Sequence, residues 1–244
     1  MLDSQATWSD FRDRRPEVVV LGIGATEQHG PHLPVGTDLL AVDALARKVA
    51  ERLDAWLLPS LPVSLSECHG PLAGTVWLKP ATLAAVLGDI ARCLEEQGVR
   101  VLVVINGHGG NFILEPAVEK LNRTLSSLKV LLAPESLALL PGESPIFATA
   151  DREVHAGEVE TSVVLYLRPD LVRPPRPDGT LKVGREFLDY VTIDRLNPEG
   201  VWGCPGFADA EKGRRAFAAR VEAITRYVVD AVQWLAREGH GDLA

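Results

Sequence analysis

Cysteine is scarce in this sequence, which has three thiols among 244 residues. Cys68, Cys93 and Cys204 lie far apart, and no two of them form a CxxC pair. Disulfide frameworks and structural zinc sites both depend on sets of closely spaced cysteines. We therefore expect neither of them to hold this fold together.

Long apolar runs and basic blocks are absent as well. No run approaches the roughly 18 apolar residues of a membrane-spanning helix, and residues 1–15 lack the apolar segment of a secretory signal. The formal net charge is -8, and no basic block offsets it. This acidic balance argues against nucleic acid or an anionic membrane as a partner. We expect a cytoplasmic protein.

The composition is that of an ordinary globular protein. Hydrophobic residues make up 46% of the chain and charged residues 24%, which leaves ample material for a core. This length suits one large α/β domain or two small ones. Because no internal repeat, linker or low-complexity block divides the chain, we predict a single domain over residues 1–244.

Strand-like and helix-like segments alternate along the chain. Short runs rich in Val and Ile predict strands, and apolar residues at helical spacing predict helices. The alternation predicts a parallel sheet with helices on both faces. The composition of residues 134–152 predicts a long loop or lid. The predicted strands are 17–23, 55–61, 99–105 and 129–133, with an extended piece at 190–193, and the predicted helices are 8–14, 38–53, 80–96, 113–125, 157–167 and 211–237.

The polar loop at 24–38 follows the first predicted strand and carries candidate metal ligands. Glu27 and His29 are two positions apart, so in an extended segment they point to the same face. Glycines and prolines allow the loop to turn so that Asp38 can join them, and Asp38 could also be the N-cap of the next helix. Glu, His and Asp together suit zinc or manganese. The alternative is a polar surface loop whose His and Glu side chains are solvated. His32 either lines the pocket or supports a ligand, or it is a hydrogen-bonded structural histidine.

A glycine-rich turn, Asn-Gly-His-Gly-Gly-Asn at 106–111, follows the strand predicted at 99–105. The glycines allow the backbone to approach an ion or a substrate closely, and His108 is a natural ligand at the strand end. Such a turn could instead cradle phosphate at a helix N-terminus. It lacks the GxGxxG spacing and the lysine of a P-loop, however. A helix-entry turn with a hydrogen-bonded histidine is the third reading.

Two further clusters have candidate functional residues. His155 and Glu160 flank the start of a predicted helix. Glu158 and Glu160 cannot face the same way on that helix, which leaves open which of the two points inward. Earlier in the chain, Ser66 and His69 occupy a turn-rich loop that is either a substrate wall or an ordinary connection.

These motifs together resemble the creatininase (creatinine amidohydrolase) family. The resemblance implies a three-layer α/β/α sandwich with a mostly parallel central sheet, hydrolysis of a C–N amide bond in a small-molecule substrate, and a homo-oligomer, usually a hexamer. The matching pieces occur in family order over nearly the whole chain: GATEQHGPHLPVGTD at 24–38, GT at 74–75, NGHGGN at 106–111, HAGEVETS at 155–162, and GVWGCP followed by EKG between 200 and 213.

The resemblance also implies roles for individual residues. Glu27, His29, Asp38 and His108 would bind two divalent metal ions, with Asp38 bridging them. Zinc is the first choice, with manganese or iron as alternatives. The two cations would lower the pKa of a shared water and polarise the amide carbonyl. His155 as imidazolium, with an ordinary pKa near 6.5, would then give a proton to the departing nitrogen.

Departures from the family pattern bear on the second metal site and on the substrate. Members that hydrolyse creatinine have a glutamate at the position of Gly110, and we infer that Glu160 supplies the missing carboxylate as a ligand and catalytic group. Those members hold the creatinine ring with a Tyr and a Trp at the positions of Gly109 and Asp151.

The predicted substrate is therefore an amide other than creatinine: a cyclic amide, a formamide or a short peptide. Creatinine hydrolysis itself and a metal-binding α/β protein without hydrolase activity are the alternatives. The positions expected to face the substrate are Ser66, His69, Gly109 and Asp151.

Overall fold

A parallel four-stranded sheet lies at the centre of the computed structural model, which describes residues 1–133 and 146–237. β1 and β3 pair along six residues, with Ile23 opposite Asn106 at their carboxyl ends. Because parallel strands end at the same edge, the loops that follow β1 and β3 start side by side. The strands are β1 (Val18–Ile23), β2 (Trp56–Leu57), β3 (Val101–Asn106) and β4 (Lys129–Ala133), in the spatial order β2-β1-β3-β4.

Helices cover both faces of this sheet. Helices α3 and α4 pack on one face, and α2 and α7 pack on the other. These three layers confirm the predicted fold class. The helices of the described residues are α1 (Trp8–Arg14), α2 (Thr37–Leu53), α3 (Pro80–Glu96), α4 (Leu114–Thr124), α5 (Glu158–Leu167), α6 (Ile193–Leu196) and α7 (Ala210–Arg237).

The side chains of β3 show why the central strand is apolar on both faces. Leu102 and Val104 lie in the core beneath α3 and α4, whereas Val101, Val103 and Ile105 lie in the core beneath α2 and α7. All five are at most 2% exposed. Fully burying such a side chain contributes about 1.5–3 kcal/mol. The polar loop that follows β3 is therefore held by a firmly packed strand.

The edge strand β2 is shorter than the strand predicted over 55–61, because only Trp56–Leu57 forms a ladder with β1. Pro59 lies two residues beyond Leu57, and proline has no N–H to donate to a ladder. The chain meets β1 again at Leu61, which forms an isolated bridge with Ile23.

The extended piece predicted at 190–193 is wrong. This segment joins a 3₁₀ turn at Arg185–Asp189 to helix α6. The Tyr190 N–H donates to the carbonyl of Phe187, so the backbone groups here pair locally instead of with a strand. Apolar residues alone did not distinguish a short strand from consecutive helical turns.

The start of α2 also differs from the prediction. Gly36 occupies the N-cap position and Thr37 begins the helix, so Asp38 lies in the first turn and is not the cap. Residues 134–145, most of the predicted lid, lie outside the described residues. No helix in the described part of the chain is long and apolar enough to cross a bilayer. The single domain over 1–244 stays a prediction.

Candidate metal centre

Five side chains that the sequence indicates as metal ligands meet at the carboxyl edge of the sheet. Glu27 and His29 lie in the loop after β1, and His108 lies in the loop after β3. Asp38 is in the first turn of α2, and Glu160 is in the first turn of α5. They form groups of three in which the possible ligand atoms all lie within 4.8 Å of one another.

The first group consists of Glu27, Asp38 and His108. His108 Nδ1 lies 3.1 Å from Asp38 Oδ2, and His108 Nε2 lies 3.3 Å from Glu27 Oε2. His108 Nε2 donates a hydrogen bond to the carbonyl of Leu65 at 2.5 Å. Because the Leu65 carbonyl holds Nε2, Nδ1 is the ring nitrogen that could bind a cation.

The second group consists of His29, Asp38 and Glu160. His29 Nε2 lies 3.3 Å from Asp38 Oδ1 and 3.8 Å from Glu160 Oε1. His29 Nδ1 donates to the carbonyl of Glu27 at 3.1 Å, which leaves Nε2 free as an acceptor. Asp38 directs one carboxylate oxygen to each group, so it has the geometry of a bridging ligand.

Several atoms at this centre are buried without a hydrogen-bond partner. They are both carboxylate oxygens of Glu27, His29 Nε2 and Asp38 Oδ2. All three residues are at most 4% exposed. Buried polar atoms are almost always paired, because an unpaired one loses its hydration without compensation. Divalent cations would satisfy these atoms, so the residues present fit a metal centre.

The charges at the centre are strongly coupled. Burial raises the pKa of Glu27 to about 7. Burial alone would lower the pKa of His108, but the carboxylates of Glu27 and Asp38 raise it to about 9. The pKa of His29 is likewise raised, despite burial, by Asp38 and Glu160. A cation would displace the protons on these groups, so metal uptake should strengthen as the pH rises.

His155 stands at the inner edge of the same centre. Its Nδ1 lies 3.6 Å from Glu27 Oε1, and it forms a third possible ligand group with Glu27 and His29. Its Nε2 donates to the carbonyl of Gln28 at 2.7 Å. Burial, reinforced by His29 and His69, lowers the pKa of His155 well below its usual value. The ring is thus neutral, whereas the sequence led us to expect an ordinary pKa.

The loop after β2 contributes a fourth imidazole, after those of His29, His108 and His155. His69 is 3% exposed and its Nε2 lies 3.6 Å from Glu27 Oε1. Its ring centroid is 4.3 Å from that of His155. The sequence indicates His69 as a candidate substrate wall, and the structure places it directly against the ligand cluster. Ser66 is also buried here, with no hydrogen-bond partner for its Oγ.

A groove of about 1160 Å³ opens beside the centre. Gly109 and Gly110 line its inner end together with Leu65, whose carbonyl binds His108. Its outer walls include Phe112 and Tyr190, which are 70% and 74% exposed. The backbone that adjoins His108 therefore borders a wide groove with aromatic walls.

The family follows from a comparison with known proteins. A family model named Creatininase and described as creatinine amidohydrolase matches residues 4–228. The chain belongs to the creatininase family. The resemblance inferred from the motifs is thereby confirmed.

Two relatives of this creatininase-family chain have named activities. A mycofactocin precursor peptide peptidase from Mycobacterium tuberculosis (strain H37Rv) is 35% identical over 242 residues, covering 91% of this chain and 88% of the relative. A creatinine amidohydrolase from Pseudomonas putida is 34% identical over 246 residues, covering 90% and 93%.

Solved creatininases show the same fold with metal. A mutant creatininase described as Zn-Zn type has a TM-score of 0.76 and 27% identity over 94% of this chain and 97% of that structure. A manganese creatininase has a TM-score of 0.75 and 28% identity over 94% and 98%. This protein is a metal-dependent amidohydrolase of the creatininase family, a hydrolase of C–N bonds.

The structure distinguishes the roles of Glu158 and Glu160, which the sequence left open. Glu158 accepts hydrogen bonds from Lys212 Nζ at 2.5 Å and from the backbone N–H of Thr149 at 2.8 Å. Burial alone would raise the pKa of Glu158, but these partners lower it. Glu160 instead turns toward His29. Glu158 thus ties α5 to α7, and Glu160 faces the centre.

Replacing Glu158 with glutamine should lower the free energy of unfolding by about 2 kcal/mol at pH 7, since a hydrogen-bonded, partly exposed ion pair is lost. A lowered carboxyl pKa stabilises the fold above the unfolded value of about 4.3 and ceases to do so as the pH falls through the folded value. The difference between variant and wild type should therefore shrink below about pH 4. Urea titrations with chelator present would measure it.

Glu160→Gln is the matched control for that variant. It should lower the metal content while Glu158→Gln retains metal, because only Glu160 approaches His29. Metal loss in Glu158→Gln alone would show that the two roles are assigned the wrong way round.

Gly110 is held in a space without room for a side chain. A Cβ at this position would lie 2.3 Å from His108 Nε2 and 2.5 Å from the carbonyl oxygen of Leu65. In this backbone conformation position 110 cannot carry a glutamate, so any further carboxylate for the centre must come from elsewhere in the chain. This supports Glu160 as its source.

Gly110→Ala should weaken metal binding by about 10–100-fold, because the added methyl group displaces His108 and breaks its bond to Leu65. Titration with zinc against a competing chelator would measure the affinity. Gly88→Ala in α3 is the control, since its Cβ would meet no atom closer than 3.8 Å. Unchanged affinity in Gly110→Ala would show that His108 is not a ligand in this orientation.

Gln28 at the centre and Glu153 at the start of α5 escaped the sequence analysis, and one predicted residue lies away from the centre. Gln28 bonds to both His69 and the Gly200 carbonyl, and Glu153 accepts the N–H of Glu158 at the start of α5. The position of Gln28 between two candidate ligands, Glu27 and His29, is the one sequence signal that could have indicated it. Asp151, expected to face the substrate, has an 80% exposed side chain beside Arg152 and does not join the cluster.

Proposed function

We propose that this protein hydrolyses an amide bond of a short peptide and not creatinine. The observation that carries the proposal is a wide groove lined by Gly109 and Gly110, the two residues that follow His108. At about 1160 Å³ it exceeds the size of ordinary small-ligand sites, about 300–1,000 Å³. Creatinine would leave most of it empty.

The likeness to known proteins supports the same substrate class. The peptidase from M. tuberculosis acts, by its name, on a precursor peptide, and it is 35% identical to this chain. The positions that hold a Tyr and a Trp in creatinine-hydrolysing members are Gly109 and Asp151 here. A cyclic amide or a formamide remains the second candidate, because the same ligand set would cleave either bond.

We propose two divalent cations, zinc or manganese, as the cofactor. Glu27, Asp38 and His108 would hold one, and His29, Asp38 and Glu160 the other. When bound, the cations would acidify a water molecule and polarise the amide carbonyl.

His155 would be the proton carrier of the reaction. Its Nε2 proton is committed to the carbonyl of Gln28, so the bare Nδ1 is the atom that can accept a proton. Because burial keeps the ring neutral, His155 accepts a proton from the attacking water first and then gives it to the departing nitrogen. The reaction thus begins with a neutral base and not with an imidazolium.

The other groove residues would bind the peptide. Arg185 lines the groove and donates a hydrogen bond to the carbonyl of Gly109. Phe112 and Tyr190 offer apolar surface to substrate side chains. The homohexamer and the cytoplasmic location expected from the sequence stay predictions, and light scattering would test the first.

The test is a panel of amides offered to protein loaded with zinc or manganese, with a chelator-stripped sample alongside. We expect cleavage of short peptides, no turnover of creatinine and no activity without metal. Creatinine as the only substrate cleaved would make the protein a creatinine amidohydrolase. Metal uptake without hydrolysis of any amide would leave a metal-binding protein without enzymatic activity.

A further inference from the structure

The side chain of Gln28 links two imidazoles of the centre. Gln28 is 7% exposed and lies between Glu27 and His29. Its Oε1 accepts the backbone N–H of Gly30 at 2.9 Å, which fixes the orientation of the amide. Its Nε2 therefore points toward the histidines as a hydrogen-bond donor.

The two hydrogens of that amide nitrogen have defined acceptors. Nε2 of Gln28 lies 2.9 Å from His69 Nδ1 and 3.0 Å from the carbonyl oxygen of Gly200. Because an amide nitrogen can only donate, His69 Nδ1 must be the acceptor and its proton must reside on Nε2. His69 therefore presents an N–H to Glu27 Oε1, 3.6 Å away.

The backbone of Gln28 contacts His155 through the other type of ring nitrogen, Nε2. Its Nε2 lies 2.7 Å from the carbonyl oxygen of Gln28, which can only accept, so Nε2 is protonated and Nδ1 is bare. Nδ1 also lies 3.6 Å from Glu27 Oε1. The 3.1 Å approach of Gln28 Nε2 to His155 Nε2 is then a contact between two donors.

Gly200 makes room for this arrangement. A Cβ there would lie 2.1 Å from Gln28 Oε1, and the residue has a φ of +69°. Both observations require glycine at this position. The side-chain amide of Gln28 thus occupies space that a side chain at position 200 would take.

We propose that Gln28 is a positioning residue that holds His155 and His69 in the same Nε2-protonated tautomer but in opposite orientations. The pair then presents a bare Nδ1 and an N–H to the same side of the centre. This inference rests on the proposed function for its catalytic meaning. His155 Nδ1 takes a proton from water as the water oxygen bonds to the amide carbon, and it gives that proton to the departing nitrogen as the C–N bond breaks. His69 keeps its proton and directs its N–H toward Glu27 Oε1.

Solid-state ¹⁵N NMR of histidine-labelled full-length protein, with and without zinc, would determine the tautomers without an activity assay. In the wild type, the protonated nitrogen should be Nε2 in both rings, with Nδ1 bare. In Gln28→Glu, whose carboxylate can only accept, the proton of His69 should move to Nδ1. His155 should not change, because its partner is a backbone carbonyl. Spectra of His69→Gln and His155→Gln assign the signals.

A proton on Nδ1 of either ring in the wild type would overturn the proposal, as would a His69 tautomer that is unchanged in a folded Gln28→Glu. If that variant fails to fold, the wild-type spectra decide alone. With metal retained, turnover of Gln28→Glu should fall by about 10²-fold with little change in KM. Should no amide be cleaved by the wild type, the proposed function fails while the tautomers still test the positioning role.

Discussion

Replacing Asp38 with alanine should remove most of the bound metal and nearly all hydrolase activity. Asp38 is the one residue that belongs to both the Glu27–His108 group and the His29–Glu160 group. Its two oxygens lie 3.1 Å from His108 Nδ1 and 3.3 Å from His29 Nε2. Losing it leaves each group with two ligands, and it also leaves the buried histidines without a balancing charge.

Elemental analysis of purified protein would measure this effect. We expect about two divalent ions per wild-type chain, as in dinuclear hydrolases, and fewer than about half an ion in Asp38→Ala. Asp43→Ala in the same helix is the matched control, since Asp43 bonds Ser60 outside the centre. It should retain the wild-type metal content and activity.

Thermal unfolding distinguishes metal loss from failure to fold. A ligand at 100 times its dissociation constant stabilises the native state by about 2.7 kcal/mol. Chelator should therefore lower the Tm of the wild type and of Asp43→Ala, but not that of Asp38→Ala. A full metal complement in folded Asp38→Ala would refute the bridging role of this carboxylate.

The sheet and its ligand-bearing loops could be predicted because the signals are local. β1 and β3 are continuous apolar runs that end at polar, glycine-rich turns. Glu27 and His29 share a face through their spacing alone. Parallel pairing then places the loops after β1 and β3 at one edge, whatever the details of packing.

Other parts of the centre depend on contacts that sequence spacing does not encode. Glu158 and Glu160 are both favourable near a helix N-terminus, so their positions in the sequence do not distinguish them. The ion pair of Glu158 with Lys212, which lies 54 residues later in the chain, shows that Glu158 is the one that faces away from the centre. His69 reaches the centre because the loop after β2 folds over the sheet edge. The role of Gln28 depends on its contact with Gly200, 172 residues away.

Replacing His155 with alanine should keep the metal and lose most of the turnover. His155 lies 3.6 Å from Glu27 Oε1, and its Nε2 proton is held by the carbonyl of Gln28. Removing a positioned proton carrier costs about 10²–10⁴-fold in rate. Single-turnover cleavage of the best peptide, normalised to bound metal, would measure the loss.

His32→Ala is the control for the loss of a buried imidazole. His32 is fully buried and bonds Thr161 at 3.1 Å, but it belongs to none of the three ligand groups. It should lower the Tm while leaving the rate per bound metal close to that of the wild type. A comparable rate loss in His32→Ala would mean that both variants act through distortion of the fold.

The metal content of His155→Ala decides between two roles for this ring. His155 forms a group with Glu27 and His29, so a ligand role is geometrically open to it. Its neutral imidazole and its fixed Nε2 proton suit proton transfer equally well. If His155→Ala loses as much metal as Asp38→Ala, His155 is a ligand. If the variant keeps its metal and its rate per bound metal falls, His155 carries the proton. The lost function then acts after metal and substrate are bound.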